Sequence, residues 1–267
     1  MPRVTSSYRL SVVTVNYNDS YNLLLTIQSV FDQSLWPDEY VIVDGGSTDN
    51  SVESVLRFLN KVHPDFGERV KFITEPDDGI YNAMNKGAKI STGDYIQYLN
   101  AGDVYSTEKS VEKLKLHMRS GEGIDVYYGD VNFRDRSGRI NRCWRDGPYA
   151  RSRFHLGWMP AHPSVMIHKS ALMGNGSMPF DESFDIAGDY DLFLRTLFFN
   201  NKSAKYMNFN VVTMESGGVS NGSLKGVIKS NYEVLKAWQK YSNYVPLWLF
   251  LLKPFQKLFQ LKWGSRR

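Results

Sequence analysis

Three short segments of the sequence put carboxylates and glycines where an anionic ligand and a metal ion would need them. Asp44-Gly-Gly-Ser-Thr-Asp49 follows an apolar run. A carboxylate there can accept a hydrogen bond from an imide N–H such as that of uracil or guanine, and the glycines let the backbone come close to a ligand. The alternative is that Asp44 and Asp49 end a strand and cap a helix. Gly79 opens a helical pattern whose free N–H groups and positive dipole end suit phosphate. Asn100-Ala-Gly-Asp103 ends another apolar run, and an acid beside a diphosphate suits Mg²⁺ or Mn²⁺, hard ions that take few carboxylates plus substrate oxygens. Alone, that tetrapeptide is an ordinary turn more often than a metal site.

The elements that must position these groups alternate in period. Leu10–Val15 reads as a buried strand, followed by Leu23, Leu24, Ile27, Val30 and Phe31 at helical spacing. Glu39–Asp44 is a second strand, and Asp49-Asn50 caps a helix carrying Val52, Val55, Leu56 and Leu59. Val70–Thr74 is a third strand, Gly79–Ile90 a helix with Ile80, Ala83, Met84 and Gly87 on one face, and Tyr95–Leu99 a fourth strand. This order implies a mostly parallel sheet with helices on both faces, and ligands of such sheets bind beyond the carboxyl ends of the strands. After residue 104 the pattern is mixed. Helices are expected near Thr107–Ser120 and Asp189–Phe199, strands near Asp125–Val131, Arg139–Trp144, Ser164–His168 and Ala204–Met214, and a turn at Arg136–Gly138.

Two nucleotide-binding classes are disfavoured. The first strand ends Thr14-Val-Asn-Tyr-Asn-Asp19 with no glycine, so the phosphate turn of a dinucleotide fold is missing, and the sequence has no Gly-x-x-x-x-Gly-Lys-Ser/Thr loop. The single cysteine, Cys143, allows no intrachain disulfide and no Cys-based zinc cluster, which favours a reducing compartment. The first apolar run is short and lacks a small-residue cleavage site, so no secretory leader is expected.

Four of these segments together are far more specific than any one of them. Thr14–Asp19, Tyr40–Asn50, Asp78-Gly-Ile-Tyr-Asn-Ala-Met-Asn-Lys-Gly87 and Ser91-Thr-Gly-Asp-Tyr-Ile-Gln-Tyr-Leu-Asn-Ala-Gly-Asp103 closely resemble glycosyltransferase family 2. The resemblance runs from about Ser11 to Ser220. It implies a GT-A fold, an α/β architecture with a mostly parallel mixed sheet flanked by helices. It also implies a UDP- or GDP-sugar donor, Mg²⁺ or Mn²⁺, and inversion at the anomeric carbon. On it, Thr14, Val15, Asn16, Tyr17, Asp44, Gly45, Asp77, Gly79, Asn82, Lys86 and the run Asn100-Ala101-Gly102 line the donor pocket, and Asp103 holds the metal. The chain departs from the family where Asn100 and Gly102 stand in place of acids. Gly188-Asp-Tyr-Asp191 looks like the family's helix-opening acidic motif, which makes Asp189 the general base and leaves Asp191 structural or near the acceptor. Trp158-Met-Pro-Ala-His162 resembles the acceptor-side loop, so Trp158 and His162 are candidate acceptor or diphosphate contacts. Glu215–Val219 fits a loop closing over the donor, or a plain turn. Phe154, Tyr127 and Tyr128 are candidates to stack on sugars, or core residues.

The formal charge of +4 hides an asymmetry. Residues 221–267 carry nine Lys and Arg against one acid, Glu233, leaving 23 basic and 27 acidic groups in the rest. The basic character is therefore local and argues against nucleic acid as a partner. Phe255, Leu258, Phe259 and Trp263 share a helical face bordered by lysines, the pattern of an amphipathic helix lying on an anionic membrane surface. The alternative is a helix docked on the protein itself.

The expected organisation is a 1–220 catalytic unit, with a nucleotide-sugar half over about 8–104 and an acceptor half over 105–220, then a basic helical tail at 221–267. The expected function is transfer of a sugar to a glycan or lipid-linked acceptor in bacterial surface polysaccharide or glycolipid assembly, at the inner face of the cell membrane. The alternatives are a sugar-phosphate nucleotidyltransferase and a catalytically silent sugar-nucleotide scaffold.

Overall fold

The computed structural model describes residues 8–246 apart from 62–63, 120–122, 136, 175, 177 and 217–223. The chain runs β1 (Leu10–Asn16), α1 (Ser20–Phe31), β2 (Glu39–Asp44), α2 (Ser51–Leu59), α3 (Pro64–Gly67), β3 (Val70–Thr74), α4 (Ile80–Ile90) and β4 (Tyr95–Tyr98). It continues through β5 (Val104–Tyr105), α5 (Ser110–Arg119), β6 (Val126–Arg134), β7 (Ile140–Trp144), β8 (Met166–His168) and α6 (Lys169–Met173). Then come α7 (Gly188–Phe193), a π-helical turn over Leu194–Phe199, β9 (Ala204–Glu215) and α8 (Leu224–Tyr241).

The strands form one mixed sheet in the order β3-β2-β1-β4-β8-β6-β9-β5, with β7 beside β6. The first four are parallel, so the carboxyl ends of β1, β2, β3 and β4 open on one edge. Asn16 is in register with Asp44, and Asp44 with Thr74. β8 then enters antiparallel to β4 and β6, which turns the sheet from its nucleotide-type half to the mixed half.

Both faces of this sheet are covered, and β1 and β2 are buried along their whole length, with Ser11, Thr14, Asn16, Glu39 and Asp44 included. Successive side chains point to opposite faces. Val13, Val15, Val41 and Val43 pack with α4, α7 and α8, while Leu10, Val12, Tyr40 and Ile42 pack with α1, α2, α3 and α5. Two expected helical stripes need correction. Ile80 is exposed at the mouth of α4, and the packed stripe is Tyr81, Ala83, Met84 and Ala88. On α2, Leu56 is exposed and Val55 carries the burial. Phe154, Tyr127 and Tyr128 are fully buried, so they are core residues and not sugar platforms.

The charge boundary at residue 220 does not coincide with a boundary in packing. On α8, Val234, Ala237 and Trp238 are buried in the same cluster as α4 and α7. The expected membrane-facing helix, with Phe255, Leu258, Phe259 and Trp263, lies outside the described residues. No helix among the described residues is long and apolar enough to cross a membrane.

Candidate active site

The carboxyl edge of β1, β2 and β3 is organised by Asp44. Its Oδ1 accepts from Asn16 Nδ2 at 2.9 Å and Ser47 Oγ at 2.6 Å, and its Oδ2 from the Ser47 N–H and Thr74 Oγ1, both at 2.9 Å. Burial opposes ionisation, but the bonds from Ser47, Asn16 and Thr74 outweigh it and hold the Asp44 carboxyl below the ordinary range. Four donors fill the four lone-pair positions of a carboxylate, so Asp44 has none left for a base imide. In this arrangement it ties together the end of β1, the Ser47 loop and the end of β3. Thr14 is also turned inward: fully buried, it donates to the Leu99 carbonyl at 2.6 Å and lies 3.0 Å from Tyr40 Oη. Val15 is buried with the β1 core. Thr14 and Val15 thus belong to the core beneath the strand ends.

The residues that do gather at the open edge are Tyr17, Gly45 and Asp77. Tyr17 is 67% exposed. A Cβ added to Gly45 would stand 2.8 Å from Asp77 Oδ2 and 3.3 Å from the Tyr17 ring, so glycine is what lets the three meet. Asp77 Oδ1 pairs with Lys86 at 2.6 Å, and Lys86 also reaches Glu75 at 3.0 Å and the Pro76 carbonyl at 2.7 Å. Lys86 therefore fixes the Asp77 loop. Beside this group the buried Oδ1 of Asn16 has no partner among the described residues, leaving an acceptor at the β1 end.

Gly79 stands at the N-terminus of α4 with no side-chain cap, and space around it is open. Asn82, three residues on, donates to Glu182 Oε2 at 3.0 Å, so it joins the two halves of the protein. The Asn100–Asp103 turn is drawn onto α1: Thr26 Oγ1 donates to the Asp103 carbonyl at 2.8 Å and accepts from the Gly102 N–H at 3.0 Å. The Ala101 N–H donates to the Val15 carbonyl at 3.2 Å. Asp103 is 5% exposed, and burial pushes its carboxyl up to about 7 against a hydrogen bond from the Asn100 backbone.

A divalent cation fits this turn in one restricted way. No group of three His, Cys, Asp or Glu side chains converges among the described residues. What is present is one buried carboxylate, Asp103, and the buried Oδ1 of Asn100, which has no partner among the described residues. Mg²⁺ and Mn²⁺ accept such a sparse set when substrate phosphates complete the shell. A bound cation would also offset the burial that disfavours the charged form of Asp103.

On the acceptor side, Asp189 is partly exposed at the start of α7, with its Oδ1 accepting from the Tyr190 N–H at 2.8 Å. The turn before it is held by Tyr81 of α4, whose hydroxyl donates to the Ile186 carbonyl at 2.8 Å and accepts from the Gly188 N–H at 2.9 Å. Burial raises the Tyr81 hydroxyl well above its ordinary range, and the nearby Asp189 charge adds to this. Asp191 is fully buried and accepts from Lys240 Nζ at 3.1 Å and Tyr241 Oη at 3.2 Å; it anchors α8 and is not placed to meet an acceptor. Trp158 is buried, donating from Nε1 to Asp146 at 3.1 Å, which removes it from the acceptor surface. His162 sits among Tyr98, Phe180 and Phe193, and burial lowers it to about 4, so it is neutral near pH 7.

Sequence reasoning passed over Thr26, Tyr81, Asn85 and Glu233. Asn85 is buried and exchanges two hydrogen bonds with the Phe180 backbone, both at 2.9 Å. A polar residue inside an apolar helical stripe was the available signal for Thr26 and Asn85, and Glu233 stands as the lone acid of a basic segment.

Comparisons with known proteins address the family and the fold. The profile described as "Glycosyl transferase family 2" matches residues 11–173. A PGL/p-HBAD biosynthesis glycosyltransferase of Mycobacterium tuberculosis is 28% identical over 214 residues, 79% of this chain and 78% of that protein. Among solved structures, S. aureus TarS 1-349 in complex with UDP-GlcNAc superposes with a TM-score of 0.66 at 16% identity, over 93% of this chain and 73% of that one. The mannosyltransferase PcManGT from Pyrobaculum calidifontis, in complex with GDP-Man and Mn²⁺, gives 0.64 at 15% identity, over 96% and 74%. The two structures share the fold, which is GT-A. The profile match spans more than half of the chain, and the chain is therefore a glycosyltransferase that belongs to glycosyl transferase family 2.

Proposed function

We propose that the protein transfers a sugar from a UDP- or GDP-sugar to a glycan or lipid-linked acceptor with inversion, in assembly of a bacterial surface polysaccharide or glycolipid. The acceptor hydroxyl attacks C1 from the side opposite the diphosphate, Asp189 takes its proton, the C1–O bond to the diphosphate breaks, and the nucleoside diphosphate leaves. When bound at Asp103 and Asn100, Mg²⁺ or Mn²⁺ would neutralise charge on the leaving diphosphate. Tyr17 and Asp77 would face the nucleoside, and Gly79 would present the first N–H groups of α4 to the phosphates.

The observation that carries this reading is the double hydrogen bond of Tyr81. One hydroxyl, on the helix that begins at the donor crevice, holds the backbone immediately before Asp189, so donor crevice and candidate base are built as one unit. Relatives named for glycolipid assembly, and fold neighbours solved with UDP-GlcNAc or GDP-Man, support the donor and acceptor classes. The amphipathic pattern beyond Pro254 supports a site at the cytoplasmic membrane surface.

Asp189→Asn should lower transfer by about 10²–10⁴-fold, the usual range for a general base, while UDP or GDP affinity stays within about twofold. Transfer at the parental rate would end the base assignment. A thermal-shift screen of nucleoside diphosphates with and without Mn²⁺ identifies the base, since a ligand of the native state raises its stability. Asp103→Ala should abolish the Mn²⁺-dependent part of that shift.

A further inference from the structure

The lone acid of the basic segment has an unusual set of partners. Glu233 of α8 is 4% exposed, and its carboxylate accepts three consecutive backbone N–H groups: Asp185 on Oε1 at 3.2 Å, Ile186 on Oε2 at 2.9 Å and Ala187 on Oε2 at 2.8 Å. Lys229, one turn earlier on α8, pairs with the Asp185 carboxylate. The same three residues lead directly into Gly188 and Asp189. From the opposite side Tyr81 bonds to Ile186 and Gly188. The turn is therefore gripped between α4 and α8, by a phenol on one side and a carboxylate on the other.

A buried carboxylate is costly unless its lone pairs are satisfied, and hydrogen bonds to a charged acceptor are about twice as strong as neutral ones. A surface helix that only covered apolar area would not need one. α8 already buries Trp238, Val234 and Ala237, and it reaches the far end of the same motif through Lys240 and Tyr241 on Asp191. What Glu233 adds is directional: three donors fix the path of the backbone that presents Asp189.

We propose that Glu233 is a positioning residue for sugar transfer, holding the 185–188 turn so that the Asp189 carboxylate meets the acceptor hydroxyl, and that α8 is thereby part of the catalytic unit. This rests on the reading of Asp189 as the base. Tyr81 is its counterpart from the donor side, and the two act on one turn.

The test uses the full chain with Glu233→Gln, Glu233→Asp, Tyr81→Phe and the Glu233→Gln/Tyr81→Phe pair. Amide hydrogen exchange at 185–188, which needs no substrate, should accelerate at least tenfold in Glu233→Gln while β1 and β2 amides stay protected. Turnover is read as release of UDP or GDP from UDP-glucose, UDP-N-acetylglucosamine and GDP-mannose with Mn²⁺. It should fall at least fivefold in kcat with UDP or GDP affinity within twofold, and Glu233→Asp should restore part of it. The pair should lose less than the product of the single losses, because both variants loosen the same turn. Unchanged local exchange, faster exchange with unchanged turnover, parallel loss of turnover and nucleotide affinity, or fully multiplicative effects would each overturn the proposal. If Glu233→Gln does not fold, the Glu233→Asp and Tyr81→Phe readings decide it by the same criteria. Asp189→Asn separates the two layers. Loss of turnover there with none in Glu233→Gln removes only the positioning role, whereas full turnover in Asp189→Asn removes the base reading itself.

Discussion

The ring of Tyr81 lies so close to Gly188 that a Cβ built there would be 2.7 Å from its Cε2 and Cζ atoms. The donor-side helix and the acidic motif therefore touch through a position that only glycine fills. Gly188→Ala must displace either the Tyr81 ring, stacked on Phe180 at 5.3 Å, or the turn itself. We expect a loss of about 1–3 kcal/mol in urea unfolding, typical of overpacking, together with a fall in transfer larger than the fall in nucleotide affinity.

Asp44 and Asp77 should be told apart by nucleotide binding. Asp44→Asn leaves the Ser47 donors facing an amide N–H₂, and should cost about 2–3 kcal/mol by urea unfolding. Asp77→Asn keeps the shape beside Gly45 but removes the charge at the open edge. It should weaken UDP or GDP binding by roughly tenfold in calorimetry, about 1.4 kcal/mol, and, because it also breaks the ion pair with Lys86, lower stability by about 1–2 kcal/mol in urea unfolding.

The buried carboxyl of Asp146 sets a pH dependence of stability. Burial pushes it up to about 7; hydrogen bonds from Ala161 and Trp144 oppose this, and the negative Asp130 adds to it. Between the unfolded value of about 3.9 and about 7, the folded chain holds a proton that the unfolded chain has lost. This group's contribution to stability is therefore lost as pH rises through that window. Asp103 is shifted in the same direction. Asp146→Asn should flatten the fall in unfolding free energy between pH 4.5 and pH 7.5 by roughly 2–4 kcal/mol, read from urea curves at several pH values. An unchanged slope would show that Asp146 titrates normally in the folded chain.

Trp238 tests whether α8 belongs to the core. Its ring is buried against Phe198 and Phe199, and its Nε1 donates to Tyr190 Oη at 3.0 Å. Trp238→Ala should cost roughly 3–5 kcal/mol, and Trp238→Phe, which keeps most of the packing but loses the hydrogen bond, about 1–2 kcal/mol. A loss below 1 kcal/mol for the alanine variant would mean that α8 is held loosely.

Much of the scaffold was legible because its periods are local. Glu39–Asp44 and Val70–Thr74 are strands with the bounds the sequence suggests, since each is a short run rich in β-branched and aromatic residues that ends where turn residues begin. The Asp44, Gly79, Asn100–Asp103 and Asp189 segments could be recognised because glycines and acids at strand ends and helix starts leave short, dense patterns. What those patterns do not carry is the partner of each group. Thr14 and Leu99 are 85 residues apart, and Asp44 takes donors from β1, its own loop and β3. Their types suit a ligand and a neighbour equally well.

The sequence by itself determined the family, the parallel order of the first strands and the set of residues that reach their carboxyl edge. The tertiary structure alone decided which of them face outward. It buried Thr14 and Asp44, left Tyr17 exposed with the Asp77 carboxylate tucked beside Gly45 and paired to Lys86, and drew α8 out of the basic tail to set Glu233 against the turn before Asp189. The reason is physical: a hydrogen bond depends on distances of about 3 Å between groups that the chain separates by tens of residues, and only the packing of both sheet faces sets those distances.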